Sequence, residues 1–138
     1  MTTIAILENK ISAARKYLNI LKEYRHLPIK EIINNLDKKG ATERYLYLAS
    51  QATINLADAV VAYKKFRKPT TMSEAFHILE ENKIIGQALT RRMVGMVGFR
   101  NVVTHDYEKI DYEIVEKVLK SGLDDIVKFI EIIEEKMK

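Results

Sequence analysis

The segment from Thr42 to Phe66 contains neither glycine nor proline, and apolar or small residues occupy most of the circumference of a helix drawn through it. Glycine and proline are the residues that most often interrupt a helix, and a helix that is apolar on nearly all sides has to be buried. We therefore expect a central helix here, with the rest of the chain packed around it.

Apolar residues at helical spacing precede this segment. Six of them follow a 3-4-3-4-3 spacing and predict a helix over residues 3–24: Ile4, Leu7, Ile11, Ala14, Leu18 and Leu21. Pro28 suits the first position of a short second helix, which we expect to end before a turn at Lys38-Lys39-Gly40. The apolar residues of that helix are Ile29, Ile32, Ile33 and Leu36.

Helix signals also follow the central segment. Thr71-Met72-Ser73-Glu74 has the form of a capping box and predicts the start of a helix. A further helix is expected from about Gly86 towards Thr104, and Asp111 can cap another over residues 112–120. Ser121-Gly122-Leu123-Asp124 is typical of a break with a new capping box, after which a last helix begins.

Two glycines, Gly95 and Gly98, lie inside the predicted helix 86–104. Each costs about 1 kcal/mol relative to alanine in a helix interior, so we expect another group to approach closely there. A crossing helix of the same chain is the default partner, and a second subunit or bound RNA is the alternative. This helix is also the candidate subunit interface.

The fold class follows from these segments. No strand pattern or internal repeat is evident, so we expect an all-α antiparallel helical bundle. With 138 residues, 47% of them hydrophobic and 30% charged, the chain suits a single domain over residues 1–138.

Composition excludes several classes of function. The chain has no cysteine, so it has no disulfide, no thiolate nucleophile and no cysteine-ligated metal site. No apolar run is long enough for a membrane span, and Met1-Thr2-Thr3-Ile4 does not resemble a secretory leader. We therefore expect a cytoplasmic protein with no membrane partner.

Charge is distributed unevenly along the chain. Residues 1–105 hold 17 basic and 9 acidic residues, whereas residues 106–138 hold 6 lysines and 10 acidic residues. A basic surface favours polyanions such as RNA, although such an excess also occurs on proteins that bind none. The basic cluster Lys64-Lys65-Phe66-Arg67-Lys68 is accounted for equally well as a cationic helix end.

Two of the three histidines are ordinary surface residues by this reading. His26 lies in a predicted loop with no partner nearby in sequence. His77 follows Glu74 in a Glu-x-x-His spacing, but a di-iron site in a bundle needs a second such motif, which the chain lacks. We therefore expect no metal site.

His105 differs, because it ends a largely apolar helix within the polar segment Arg100-Asn101-Val102-Val103-Thr104-His105-Asp106-Tyr107. Asn101 is four residues from His105, so its amide can orient the imidazole. Arg100 lies about 140° from His105 around an ideal helix. The two can converge only on a ligand in a cleft, across a distortion near the helix end, or across a subunit interface.

These residue types suit phosphodiester cleavage without a metal. A histidine can accept the proton of an RNA 2′-hydroxyl, and an arginine can stabilise the charge that builds on the phosphoryl oxygens. The cleaved RNA would carry a 2′,3′-cyclic phosphate or its hydrolysis product. The structural alternative is that Arg100, Asn101 and His105 only brace the end of a helix.

The segment Arg-Asn-x3-His-x-Tyr, formed here by Arg100, Asn101, His105 and Tyr107, resembles the motif of the HEPN superfamily. Within that superfamily the chain is similar to HepT-like toxins, which pair with MNT-type nucleotidyltransferase antitoxins. The similarity extends upstream through residues 93–99, the helix at 71–79 and the stretch 45–51, and it is looser over residues 1–40.

The resemblance implies a HEPN-like bundle acting as a homodimer, with Arg100 and His105 of both subunits lining one cleft. It implies a metal-independent, cofactor-free endoribonuclease toxin of a type VII-like toxin-antitoxin system, with RNA as substrate. Asn101, Thr104 and Asp106 would support the catalytic pair. Tyr107 would be the residue that the partner nucleotidyltransferase adenylylates to silence the toxin.

The sequence departs from the family at Asn55, where relatives often carry an acidic residue in the central helix. Any role of that position is therefore in doubt, whereas the motif is complete. The alternative function is a non-enzymatic HEPN module that binds RNA or a nucleotide, or that docks a nucleotidyltransferase. A purely structural helical protein is the third reading.

Overall fold

A computed structural model describes residues 2–137, apart from the side chain of Tyr107. Within that range the chain forms helices and no strand. The α-helices are α1 (Ile4–Tyr24), α2 (Ile29–Ile33), α3 (Leu36–Tyr63), α4 (Met72–Glu81), α5 (Gln87–His105), α6 (Tyr112–Lys117) and α7 (Leu123–Lys136). A 3₁₀ turn, Tyr107–Lys109, follows α5, and a π-helical segment, Val118–Gly122, joins α6 to α7.

The expected central helix is confirmed as α3. Its buried residues face in most directions: Thr42, Leu46, Ala49, Ser50, Ala52, Thr53, Ile54, Leu56, Ala57, Ala59, Val60 and Val61. Such a surface can be covered only if other helices surround it, and α1, α2, α4 and α5 all pack against it.

The first helix is confirmed almost residue for residue. Five of the six residues in the predicted stripe are buried: Leu7, Ile11, Ala14, Leu18 and Leu21. Ile4, in the first turn, is 40% exposed. The Thr3 hydroxyl caps α1 by accepting a hydrogen bond from the backbone N–H of Ile6.

Side-chain contacts show that neighbouring helices run antiparallel. In α1 and α7, Arg15 pairs with Glu134 near one end, whereas Arg25 pairs with Asp124 at the other. The order of these contacts reverses along the two helices, as the bundle prediction requires. Phe76 of α4 and Phe129 of α7 meet edge to face in the core, with ring centroids 5.5 Å apart.

The predicted turn at Lys38-Lys39-Gly40 is wrong, because these residues lie in the first turns of α3. The chain turns earlier, at Asn34 and Asn35. The side-chain oxygen of Asn35 accepts hydrogen bonds from the backbone N–H groups of Asp37 and Lys38, which starts α3 at Leu36. Leu36, expected to be an apolar residue of the second helix, is 83% exposed.

The predicted break at Ser121-Gly122-Leu123-Asp124 is also wrong. Gly122 keeps right-handed helical angles, and the helix passes through a π-helical turn in place of a loop. The hydroxyl of Ser121 donates to the carbonyl of Lys117 within the helix and caps nothing. Because Leu119 and Leu123 are both buried, the widened turn keeps the apolar side chains of α6 and α7 in the core.

The expected crossing helix at Gly95 and Gly98 is absent from the described part of the chain. A methyl group placed on either glycine would meet no atom of another element within 4 Å. Both glycines are exposed. The fold of one chain therefore does not decide whether a second subunit or bound RNA approaches these two glycines.

Among residues 2–137, no helix combines the length and the apolar character that crossing a membrane requires.

Candidate active site

Arg100 lies on α5 where that helix packs against α3, and its side chain is partly buried. Its Nε donates a hydrogen bond to Oε1 of Gln51 over 2.9 Å. Its Nη1 donates to Oδ1 of Asn101, also over 2.9 Å. Two amide oxygens from two helices therefore fix the orientation of the guanidinium.

The Gln51 amide is itself held in place. Its Nε2 donates to Oδ1 of Asn55, one helical turn further along α3, over 2.9 Å. This bond leaves Oε1 of Gln51 to accept from Arg100. Asn55 thus supports the Arg100 guanidinium indirectly, by holding the Gln51 amide.

All these partners are neutral, and no carboxylate of the described residues forms an ion pair with Arg100. Four other arginines differ in this respect. Arg15, Arg25, Arg67 and Arg92 each form an ion pair with a carboxylate. An arginine held by neutral groups keeps its charge available for an anionic ligand.

Tyr47 places an aromatic ring beside this guanidinium. The Cζ atom of Arg100 lies 5.3 Å from the ring centroid, and that of Arg44 lies 5.4 Å from it. Both distances are within the range of a cation–π interaction. The ring of Tyr47 is therefore flanked by two guanidinium groups.

His105 is the last residue of α5, and its side chain is exposed. Oδ1 of Asn101 accepts from Arg100. Within the described residues, the imidazole of His105 has no hydrogen-bond or ion-pair partner, so the expected contact with the Asn101 amide is not made. The residue stands exposed at the helix end.

The two proposed catalytic residues point in different directions in one chain. Arg100 faces α3, whereas His105 faces solvent. Because α5 remains α-helical through His105, the distortion considered above does not bring them together. Arg100 and His105 can therefore act on one substrate only if a ligand bridges them or if a second subunit brings its own copy of one of them close.

Thr104 and Asp106 shape the end of α5. The hydroxyl of Thr104 donates to the carbonyl of Arg100 over 2.9 Å, one turn back in the same helix. Asp106 is the C-cap, and its backbone N–H donates to the carbonyl of Val102. Both side chains are exposed, and neither bonds the Arg100 guanidinium or His105.

Tyr107, the expected modification site, begins the 3₁₀ turn that follows. Its side chain lies outside the described part of the structure. The prediction for this residue therefore stays a prediction.

The segment that follows the motif is fastened to α3 through Tyr112. The Tyr112 hydroxyl donates a short hydrogen bond to a carboxylate oxygen of Glu43, and Nζ of Lys39 lies 5.6 Å from the Tyr112 ring centroid. Burial, followed by the bond to Glu43, raises the pKa of Tyr112 well above its ordinary value. These contacts close the loop between α5 and α6.

This raised pKa predicts a loss of stability at high pH. In the unfolded chain a tyrosine titrates near pH 10. As the pH rises past that value, the unfolded state releases its Tyr112 proton while the folded state retains it, so folding becomes less favourable. Tyr112→Phe removes this contribution, and we expect its melting temperature to fall less steeply than that of the wild type above about pH 10.

Thermal unfolding followed by circular dichroism over a series of alkaline buffers measures this difference. Tyr63→Phe, at the far end of α3, is the matched control and should follow the wild-type curve. Parallel curves for Tyr112→Phe and the wild type would contradict the assignment.

The other two histidines behave as expected for surface residues. His26 and His77 are both exposed. Among the described residues, no three histidine, aspartate or glutamate side chains are grouped so as to hold a metal ion.

Arg44, Tyr47 and Gln51 also belong to the site, although the sequence motif does not include them. A signal for them exists in the sequence. Polar side chains recur along α3 at a 3-4-4-3 spacing, at positions 44, 47, 51, 55 and 58. In an otherwise apolar helix, such a stripe indicates a face that meets solvent or a polar partner.

Comparison with known proteins identifies the family of this chain. Residues 14–133 match the family model described as Ribonuclease HepT-like. The chain belongs to the HepT-like ribonuclease family. The predicted family and the predicted enzyme class, a ribonuclease, are thereby confirmed.

Two characterised relatives carry corresponding names. The chain is 30% identical over 113 residues to the tRNA nuclease HepT of Aphanizomenon flos-aquae, an alignment that covers 80% of this chain and 77% of the relative. It is 31% identical over 84 residues to the mRNA nuclease HepT of Shewanella oneidensis, covering 61% of this chain and 63% of that one.

A solved structure confirms the fold. The tri-AMPylated HEPN toxin of Shewanella oneidensis, in complex with MNT antitoxin, superimposes with a TM-score of 0.88 at 23% sequence identity. The superposition covers 96% of this chain and 99% of the toxin. The predicted HEPN-like helical bundle is therefore correct.

Proposed function

We propose that this chain is an endoribonuclease toxin that cleaves RNA without a metal or cofactor, with Arg100 and His105 as its catalytic residues. The observation that carries the proposal is the Arg100 guanidinium, which neutral amides hold in place and no carboxylate of the described residues pairs with. A fixed, unneutralised guanidinium is suited to the charge that develops on a phosphoryl group. His105, five residues later and exposed, supplies an imidazole, the side chain that most often serves as a general acid or base.

The chemistry follows from these two groups. His105 accepts the proton of a ribose 2′-hydroxyl, and the 2′-oxygen attacks the adjacent phosphorus. The bond from phosphorus to the 5′-oxygen of the next nucleotide breaks, and that oxygen takes a proton from solvent water. The products are a 2′,3′-cyclic phosphate and a 5′-hydroxyl, with Arg100 stabilising the non-bridging oxygens during the transfer.

A homodimer is the arrangement we propose for this reaction, because it places Arg100 of one subunit near His105 of the other. An open face next to the motif supports it. Gly95, Gly98, Phe99, Val102 and Ile114 border a surface depression of about 320 Å³. Ile114 is 46% exposed, and the two glycines allow a close approach of a second backbone.

The proposed partner is an MNT-type nucleotidyltransferase antitoxin, as in the complex of the Shewanella toxin. We propose that it silences this chain by adenylylating Tyr107. An adenylyl group there would add a phosphate two residues beyond His105, where it would repel RNA and fill the cleft.

Since tRNA and mRNA are cytoplasmic, we propose the cytoplasm as the place of action.

Sequencing of RNA ends in cells that briefly express the chain tests the proposal. New 2′,3′-cyclic phosphate ends are expected with the wild type and with Arg91→Ala, which removes an exposed arginine near the start of α5, about 180° around the helix from Arg100. No new ends are expected with His105→Ala at a matched protein level. The tRNA and mRNA pools are read separately, which identifies the substrate.

Equal RNA ends from the wild type and His105→Ala would remove His105 from catalysis. If the unmodified wild type yields no new ends at all, the ribonuclease proposal fails. RNA binding that depends on Arg100 would then favour the non-enzymatic module.

A further inference from the structure

Beside the motif lies a depression that the proposed catalytic residues do not fill. It is lined by Glu43, Arg44, Tyr47, Val103 and Thr104 and has a volume of about 220 Å³. It lies between the N-terminal half of α3 and the last turn of α5, one residue before His105. A bound RNA strand that reaches His105 therefore passes this depression.

The charge of the depression suits a phosphate. Arg44 is exposed and, within the described residues, makes no ion pair. Arg100 is likewise without a carboxylate, and both guanidiniums flank the same ring. The lining itself holds one arginine and one carboxylate, that of Glu43, which accepts a hydrogen bond from the Tyr112 hydroxyl. The excess positive charge therefore comes from Arg100 beside the same ring.

The ring of Tyr47 suits a nucleobase. It is only partly buried, although it lies on the helix that is otherwise the core of the bundle. Aromatic rings beside guanidinium groups are the platforms on which proteins stack unpaired bases. The Tyr47 hydroxyl is not needed for such stacking, whereas the ring is.

We infer that Arg44 and Tyr47 form a subsite for one unpaired nucleotide of the RNA substrate. The base takes the place of the exposed Arg44 guanidinium against the Tyr47 ring, and Arg44 moves to a neighbouring phosphate. This inference rests on the proposed ribonuclease function. Because a paired base keeps its faces within the duplex stack, the subsite admits loops and single strands and rejects double-stranded RNA. It therefore restricts cleavage to unpaired segments.

Binding of a short 2′-O-methyl RNA oligonucleotide of about eight nucleotides tests this inference. The probe lacks the free 2′-hydroxyl and so reports binding without cleavage. Fluorescence anisotropy gives its Kd over a series of salt concentrations, for the single strand and for the duplex with its complement. The full-length, unmodified chain is compared with Arg44→Ala, Tyr47→Leu, Tyr47→Phe and Arg91→Ala.

The two residues should respond differently. Arg44→Ala is expected to reduce the slope of log Kd against log salt by about 0.7, the value for one phosphate contact on a single strand. Tyr47→Leu is expected to weaken single-strand binding roughly tenfold or more with the slope unchanged. Tyr47→Phe and Arg91→Ala should bind like the wild type, and the wild type should prefer the single strand to the duplex.

The slope of log Kd against log salt distinguishes base stacking on Tyr47 from a role of Tyr47 that is limited to holding Arg100. If the Tyr47 ring served only to hold Arg100, Tyr47→Leu would lose a phosphate contact and its slope would fall. A lower slope for Tyr47→Leu would overturn the inference. So would an unchanged slope for Arg44→Ala, equal binding of duplex and single strand, or no binding by the wild type.

Cleavage of natural RNA by the same preparations distinguishes the two proposals. If the wild type and Arg44→Ala cleave RNA equally and bind the probe equally, the subsite is wrong and the ribonuclease stands. If the wild type binds the single strand as expected but yields no cyclic phosphate ends, the subsite stands and the proposed catalysis fails.

Discussion

Replacement of Arg100 by alanine is expected to lower kcat for RNA cleavage by about 10²- to 10³-fold, the usual loss when one fixed donor to a developing anion is removed. The reason lies in how the guanidinium is held. Gln51 and Asn101 orient it through 2.9 Å hydrogen bonds, and Tyr47 lies under it. Little reorganisation is then needed as charge builds on the phosphoryl oxygens.

Single-turnover cleavage of a defined RNA measures this effect. Arg100→Lys should recover little activity, because an ammonium group cannot satisfy two amides and stack on a ring together. Arg91→Ala, with the same loss of charge, should cleave at the wild-type rate. Wild-type kcat in Arg100→Ala would show that the residue only braces the helices.

Replacement of Phe76 by alanine is expected to lower the free energy of unfolding by about 3 to 5 kcal/mol. Phe76 has no exposed surface and contacts Phe129 edge to face at the junction of α4 and α7. Its removal forfeits the transfer free energy of the ring, leaves a cavity and breaks an aromatic pair. A fall in Tm on the order of 10 °C or more should accompany it.

Phe66→Ala is the matched control, since the same atoms are removed from a phenylalanine that is only partly buried. Its loss in free energy of unfolding, measured by chemical denaturation at equal protein concentration, should be clearly smaller than that of Phe76→Ala. Similar losses for the two variants would mean that α4 and α7 do not share one core.

The helices that periodicity predicted well are those with a strong apolar pattern. In α1, the spacing of Leu7, Ile11 and Leu18 places them on one face, and that face is buried because burying it is the main gain of forming the helix. In α3, the absence of a polar face predicted burial on most sides. Long apolar patterns carry enough free energy to outweigh local preferences.

Helix ends were harder to predict, because they depend on small local energies. Asn35 ends the turn before α3 with two hydrogen bonds, which outweigh the cost of Gly40 inside the helix. Ser121 and Gly122 have the composition of a break, yet burial of Leu119 and Leu123 on either side keeps the helix continuous. A local cap decided the first case, and tertiary packing decided the second.

The residues of the site were likewise predictable only where they are close together in the sequence. Residues 100–107 are contiguous, so their pattern could be recognised in the sequence. Gln51 meets Arg100 across 49 positions, and only the packing of α3 on α5 brings the two together. The amide of Asn101 was expected to orient His105, but its oxygen accepts from the neighbouring Arg100.

Gly95 and Gly98 lower the stability of α5 when nothing covers the face on which they lie. Each glycine weakens the helix by about 1 kcal/mol relative to alanine, and no contact with another element offsets that cost in the described chain. The backbone before Arg100 and His105 therefore unfolds locally more readily than an alanine-containing helix would. Any molecule that covers this face suppresses that opening, so the order of the segment that holds Arg100 and His105 is thermodynamically linked to the concentration of the covering partner.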